Sequence, residues 1–312
     1  MLRLVPVFLL ASLAAGNCQQ PSSADRGVDL ALQGHCPEAM PLLDAAMRDS
    51  ANEPGVKRRV SFAGVRCSML LDRQPDAMSF LAWLEQAYPH DPEVLFLAVH
   101  VFSDLSLRNS QELMNAAPDS PLVIQLNAEN FEKQGDLGKA IAEYRILLER
   151  VPHKPGIHYR IGGLLMSQTG ATVAAEARKE FAAELQVDPR SAGSEYYLGE
   201  LARRVGDLPE AIRRFALATE LNTSFAEAYY GLGRALLDVG KAAEAAAPLE
   251  TAEKLTPDNP TVHFALATAY QRMGRKEDAA KEFALQKSTS EKLNQTTKTL
   301  HKNVSGAGSP KP

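Results

Sequence analysis

Cysteine is scarce in this chain, with three among 312 residues, and aromatic side chains make up only 6%. Cys36 and Cys67 alone lie inside the expected folded region, and His35 beside Cys36 lacks the matching second pair that a zinc module needs. No lysine or arginine cluster is interleaved with aromatics. The formal net charge is −4 and the pI about 6.0, so no sequence-wide attraction for phosphate backbones exists and nucleic acid is not an expected partner. The N-terminal apolar run, Leu4 to Ala15, falls short of the roughly 20 residues that span a bilayer as a helix. Chemistry is equally thin. The glycine pairs at Gly162 and Gly163, and at Gly231 and Gly233, fall inside helical patterns and cannot cradle a phosphate. The seven histidines show no i, i+4 pair for a metal, and His153 and His158 flank a proline turn with no common centre. Glu143, Glu180 and Glu282 read as surface charges, not as two carboxylates held together in a pocket. No catalytic residue, metal or cofactor is expected, and the chain does not read as an enzyme.

What is present is length and period. With 45% hydrophobic residues over 312 positions, the chain can bury a large interior yet exceeds what a single compact core usually reaches, so an elongated array fits better. Gly206, Gly240 and Gly274 recur at intervals of 34 residues, as do Ala211, Ala245 and Ala279. Residues 226–259 form the clearest unit. Tyr229, Leu232, Gly233 and Leu236 lie on one face of a first helix because spacings of three and four return to the same side. Gly240 stops that helix, Ala245, Leu249 and Ala252 line the inner face of a second, and Pro257 ends it. A two-helix unit repeated in this way is stabilised by stacking on its neighbours, which predicts an all-α solenoid.

This order of aromatic, Leu-Gly, Gly, Ala, Phe or Leu, Ala and Pro resembles the tetratricopeptide repeat. The match runs through Leu198, Gly199, Gly206, Ala211, Phe215 and Ala218, with Thr223 in place of the closing proline, and through Leu266, Ala267, Tyr270, Gly274, Ala279 and Phe283. Upstream it includes Ala128, Phe131, Gly135, Ala140, Tyr144 and Pro152, then Ile161, Gly162, Leu165, Ala177, Phe181 and Pro189. Gly162 to Ala177 spans 15 residues where Gly199 to Ala211 spans 12, so an insertion near residues 169–174 is read as a longer turn. The resemblance implies a right-handed superhelical solenoid of antiparallel helix pairs whose first helices line a concave face. In that family the residue after the aromatic marker points into the groove. The resemblance therefore nominates Tyr159, Tyr196, Tyr230 and Phe264 as an aromatic row, with Arg203, Arg234 and Arg272 beside it among Glu200, Glu227 and Asp238. Aromatics and arginines are favoured anchors in protein interfaces, so a protein or peptide segment is the expected partner in the groove. The family's clamp for a C-terminal carboxylate is not matched: Glu129, Gly163, Glu200, Arg234 and Thr268 occupy one of its key positions.

The expected organisation is a signal peptide at residues 1–16, a short linker at 17–24, degenerate helical repeats at 25–118, the repeat array at 121–287 and a partly disordered basic tail at 288–312. Ala14 and Gly16 suit a signal peptidase, which makes the chain an exported protein, periplasmic or secreted. Membrane attachment requires that Cys18 be lipidated or the signal be retained. Export would allow Cys36 and Cys67, 31 residues apart, to pair, contributing roughly 3–4 kcal/mol; two buried thiols that never meet are the alternative. A kink or late helix start is expected at Pro41 and Pro248, and a short capping helix to about Leu300. The resulting reading is a non-enzymatic exported scaffold that binds a protein or peptide along its concave face. The alternative is an accessory factor of the cell envelope, a lipoprotein or a glycan- or lipid-associated assembly protein.

Overall fold

The computed structural model describes residues 22–306 apart from 50, 52 and 169. The expected leader at residues 1–16, Cys18 and residues 307–312 of the tail lie outside the described residues. All regular structure among the described residues is α-helical, and no helix is long and apolar enough to cross a membrane. The chain divides into two compact units, Met1–Ala116 and Ala117–Pro312.

In the first unit, α1 (Ser23–Leu32) pairs with α2 (Cys36–Arg48), and α3 (Pro54–Leu70) pairs with α4 (Gln74–Ala87). The helix α1 starts inside the expected linker, two residues before the expected degenerate repeats. Its start is fixed by Ser22, whose hydroxyl accepts from the Asp25 amide. A single core of Ala31, Met40, Leu43, Val60, Phe80, Leu81 and Leu84 fills this unit. Cys36 and Cys67 are joined in a disulfide with their Cα atoms 5.0 Å apart, tying the start of α2 to the end of α3. The helix α5 (Pro92–Ala116) buries Val94, Ala98 and Val101 but has no second helix of its own, so Leu95, Phe96, Val99 and Phe102 remain exposed.

The second unit stacks five antiparallel pairs: α6 (Pro121–Gln134) with α7 (Leu137–Arg150), α8 (Ile157–Met166) with α9 (Ala171–Val187), α10 (Ala192–Arg204) with α11 (Leu208–Leu221), α12 (Ala226–Asp238) with α13 (Ala242–Leu255), and α14 (Pro260–Arg272) with α15 (Lys276–Gly306). The spaced glycines do what their period implies. Gly206, Gly240 and Gly274 adopt φ of 81°, 80° and 80°, a left-handed conformation that ends each first helix and turns the chain into the second. A different kind of glycine sets how closely the helices cross. A Cβ on Gly199 would lie 2.9 Å from the Phe215 ring, and one on Gly233 would lie 2.4 Å from Leu249. Between Leu221 and Ala226, where Thr223 stands for the closing proline, the turn is held by Asn222, whose side chain accepts from the Ser224 amide.

Three local expectations are corrected. The insertion near residues 169–174 is not a longer turn: α9 has 17 residues where α7 and α11 have 14, so the extra residues become nearly one more helical turn. Gly170 starts that helix and nothing from Ala171 to Ala175 breaks it. Of the kink or late start expected at Pro41 and Pro248, the late start is excluded, because their helices begin at Cys36 and Ala242 with the prolines inside. Pro41 is exposed, so water can satisfy the carbonyl one turn earlier that loses its donor. Finally, no separate capping helix follows Lys287. The helix α15 runs on to Gly306 through a stretch free of proline and internal glycine, and the expected boundary at 287 falls within it.

Candidate functional site

The helices α8, α10, α12 and α14, which carry the nominated side chains, are the first members of successive pairs, and α10 touches α12 as α12 touches α14. The structure separates those side chains by role. The Tyr159 ring packs 5.9 Å from both Phe181 and Tyr197, and it closes over Gly193, where a Cβ would lie 2.6 Å from the ring. Tyr196 is wedged among Phe225, Tyr197 and Phe215 at 5.0, 5.3 and 5.8 Å. Burial, then the nearby Glu200 carboxylate, pushes the Tyr196 hydroxyl up to about 12. These two rings join successive pairs more than they face solvent. Tyr230 is half-buried, and its hydroxyl accepts from Arg234 Nη1 at 2.8 Å while the guanidinium lies 5.7 Å from the ring centre. Phe264 is 56% exposed, touching Phe283 at a ring distance of 6.1 Å. The row of four anchors expected from sequence is therefore two structural rings, one ring held by an arginine, and one open ring.

The arginines are positioned as well. Arg203 donates Nε and Nη2 to the two oxygens of Glu200 at 3.3 and 3.1 Å, and Asp238 adds to the field that raises its pKa. Arg272 crosses from α14 and donates Nη1 to the Leu237 carbonyl at 2.6 Å, satisfying an acceptor in the last turn of α12. Glu227 and Asp238 are exposed between them. The face carries both charge signs, with the cations pre-oriented by neighbours. Toward the Tyr159 end, a cavity of about 480 Å³ opens among Glu132, Tyr159, Arg160, Gly163 and Tyr197.

Sequence reasoning missed a set of polar pairs. His158 Nδ1 lies 2.7 Å from Glu180, Arg214 Nη1 donates to Glu195 at 2.8 Å, and His263 Nδ1 lies 2.7 Å from Glu282. Glu180 and Glu282 are therefore not free surface charges, and His158 is not an isolated histidine. Glu184, 1% exposed, accepts from the Gly156 and Tyr159 amides at 2.6 and 3.2 Å and caps the start of α8. The signal was available in the repeat register: His158 and His263 immediately precede Tyr159 and Phe264, and Glu180 and Glu282 follow Ala177 and Ala279 by three residues. One further residue, Glu253, joins the last pair, so that the ligand atoms of Glu253, His263 and Glu282 lie within 4.8 Å of one another. The first unit also holds an apolar groove of about 750 Å³, lined by Val28, Phe62, Met69, Leu97 and Val101 with Arg66 at its edge. The degenerate pattern of that region gave no sign of it.

Two tetratricopeptide-repeat family models match residues 196–260 and 236–288. No curated protein matches the chain. Among solved structures, a double mutant of MamA RS-1 is 17% identical, with 56% of this chain and 97% of that one covered, at a TM-score of 0.51. A crystal structure of MamA is 24% identical over 54% of this chain and 96% of that chain, at a TM-score of 0.48. YrrB, described as a tetratricopeptide-repeat protein with an unusual peptide-binding site, is 18% identical over 58% and 91%, also at 0.48. At these identities the likeness bears on the fold alone.

Proposed function

We propose that this chain, a tetratricopeptide-repeat protein, is an exported, non-enzymatic scaffold that holds a protein or peptide segment against the first-helix face of its second unit. The family and the all-α solenoid favour protein–protein interaction. What supports the finer reading is that successive first helices carry Tyr230 and Arg234 on α12 and an exposed Phe264 ring on α14, with Arg234 and Arg272 already oriented by hydrogen bonds to Tyr230 and the Leu237 carbonyl. Pre-oriented cations and a rigid ring lose little freedom on binding, which is how a few residues come to dominate an interface. The mixed charge of Arg203, Arg234, Glu227 and Asp238 suits a segment bearing both charge signs. Support for export comes from the Cys36–Cys67 disulfide, a bond that persists in oxidising compartments, together with the apolar run before Cys18.

Selection of peptides from a random library on the intact chain tests the reading. Enriched peptides should bind the Phe264→Ala and Arg234→Ala proteins about tenfold or more weakly, the usual scale for interface anchors. They should bind Arg213→Ala, altered on the exposed flank of α11, as tightly as the parent. Failure to enrich any sequence, or equal affinity for the parent and Phe264→Ala, overturns it. Glycan binding lost in Phe264→Ala would assign the face to the envelope-accessory reading instead.

A further inference from the structure

We infer that Glu253, His263 and Glu282 form a binding site for a borderline divalent cation of the zinc type, joining α13, α14 and α15. Three consecutive helices each supply one donor, and all the donor atoms lie within 4.8 Å of one another. The imidazole is already aimed. His263 is 1% exposed, and its Nε2 donates to the Pro257 carbonyl at 2.8 Å, leaving Nδ1 as the nitrogen that faces the carboxylates. A backbone carbonyl that fixes the far ring nitrogen is the support that metal-ligating histidines generally have. Nδ1 lies 2.7 Å from a Glu282 carboxylate oxygen. A cation bound there would take the place of the proton shared between them, which would pass to solvent.

The second carboxylate is what distinguishes this place from an ordinary ion pair. His158 and Glu180 repeat the same pairing three units earlier, also at 2.7 Å, and there the position equivalent to Glu253 is Leu148. The pairing is complete without another acid. Glu253 makes no hydrogen bond or ion pair among the described residues, so it brings a second carboxylate oxygen to within 4.8 Å of the imidazole with no bond that a cation would have to displace. The donor set of one imidazole nitrogen and two carboxylate oxygens suits zinc with water in the fourth place, whereas magnesium and calcium take oxygen alone. Tetrahedral ligands about 2.0–2.2 Å from a zinc ion stand roughly 3.3–3.6 Å apart. Glu253 would therefore swing inward by about an ångström and Glu282 would draw back slightly, both within reach of flexible side chains.

Titration calorimetry of the full chain, free of any affinity tag, with zinc chloride and separately with magnesium chloride is the test. One equivalent of zinc and no magnesium should bind. Glu253→Gln should weaken zinc binding by about tenfold or more, the lower end of what even a supporting residue contributes. Its urea midpoint in chelator should match the parent, because Glu253 makes no hydrogen bond that the fold would lose. Glu180→Gln should bind zinc as the parent does. Absence of a stoichiometric zinc heat, parental affinity in Glu253→Gln, or an equal loss in Glu180→Gln would each overturn the site.

Discussion

Gly162 and Gly163 are adjacent in α8, and substituting each by alanine should move stability in opposite directions. Both sit inside a helix, where replacing glycine by alanine removes backbone entropy from the unfolded chain and gains roughly 0.5–1 kcal/mol. A Cβ on Gly163 would meet nothing within 4 Å, so the gain should stand. A Cβ on Gly162 would lie 2.7, 2.8 and 2.9 Å from three atoms of the Phe181 ring. That ring is fully buried, and Tyr197 stacks on it at a centroid distance of 4.8 Å, so it has no space into which to withdraw. Inserting a methyl group into such a core costs about 1–3 kcal/mol. Because the helix-propensity gain is common to the two variants, their difference isolates the clash at about 1–3 kcal/mol. Urea titration followed by circular dichroism, with the slope compared as well as the midpoint, measures it. A stacked array need not unfold in a single step, so the midpoint of the transition that includes α8 is the quantity to compare. Equal midpoints for Gly162→Ala and Gly163→Ala would refute the view that position 162 is glycine because two helices and a phenylalanine ring meet there.

Reduction of the Cys36–Cys67 bridge, or its replacement by two serines, should lower the stability of the first unit by roughly 3–4 kcal/mol, as expected for a loop of this length; urea transitions with and without reductant check this, and coincident curves would refute it. Glu210 accepts from Arg213 and Arg214, which hold its carboxyl at about 2. Its folded value lies below its unfolded value, so the stabilisation is present above about pH 4.5 and fades as the pH falls toward 2. Glu210→Gln should accordingly have a lower urea midpoint than the parent at pH 7 and the same midpoint near pH 2, and a gap that persists at low pH would count against the ion pair.

The features legible in the sequence were those that need a particular residue at a particular place. A left-handed turn at Gly240 and a close crossing at Gly233 leave few alternatives, so their 34-residue spacing announced the helix pairs directly. Where several residues are equally acceptable, local reading failed. Residues 171–175 are as compatible with helix as with a turn, and the start at Gly170 decided the matter. The tail beyond Lys287 lost its apolar period yet contained no breaker before Gly306, so the helix continued. The nominated residues lie on the first helices, but their orientation depends on the neighbour. Tyr159 turns down because Gly193 offers it room, whereas Phe264, exposed beside Phe283, stays open. Pairs such as His158 with Glu180, 22 residues apart, belong to two helices and become visible only when each unit is aligned on the next.

Those pairs bear on how the array keeps its order. All the units present similar small residues at their crossings, so mispairing of one first helix with a neighbouring second helix is the error such a chain must avoid. The same place in successive units holds His158 with Glu180, Glu195 with Arg214, and His263 with Glu282, while the unit between the last two has Tyr229 and Pro248 at the aligned positions. Exchanging partners between the first two of these would set Glu195 against Glu180, two carboxylates facing each other, and leave Arg214 without a carboxylate. Glu195 is only 7% exposed, and a buried charge without its counterion is far more destabilising than a correct pair is stabilising. The pairs therefore act less as a source of net stability than as a penalty on the wrong neighbour. That penalty falls between the α8–α9 and α10–α11 units, where the acid stands on the second helix in one and on the first helix in the next.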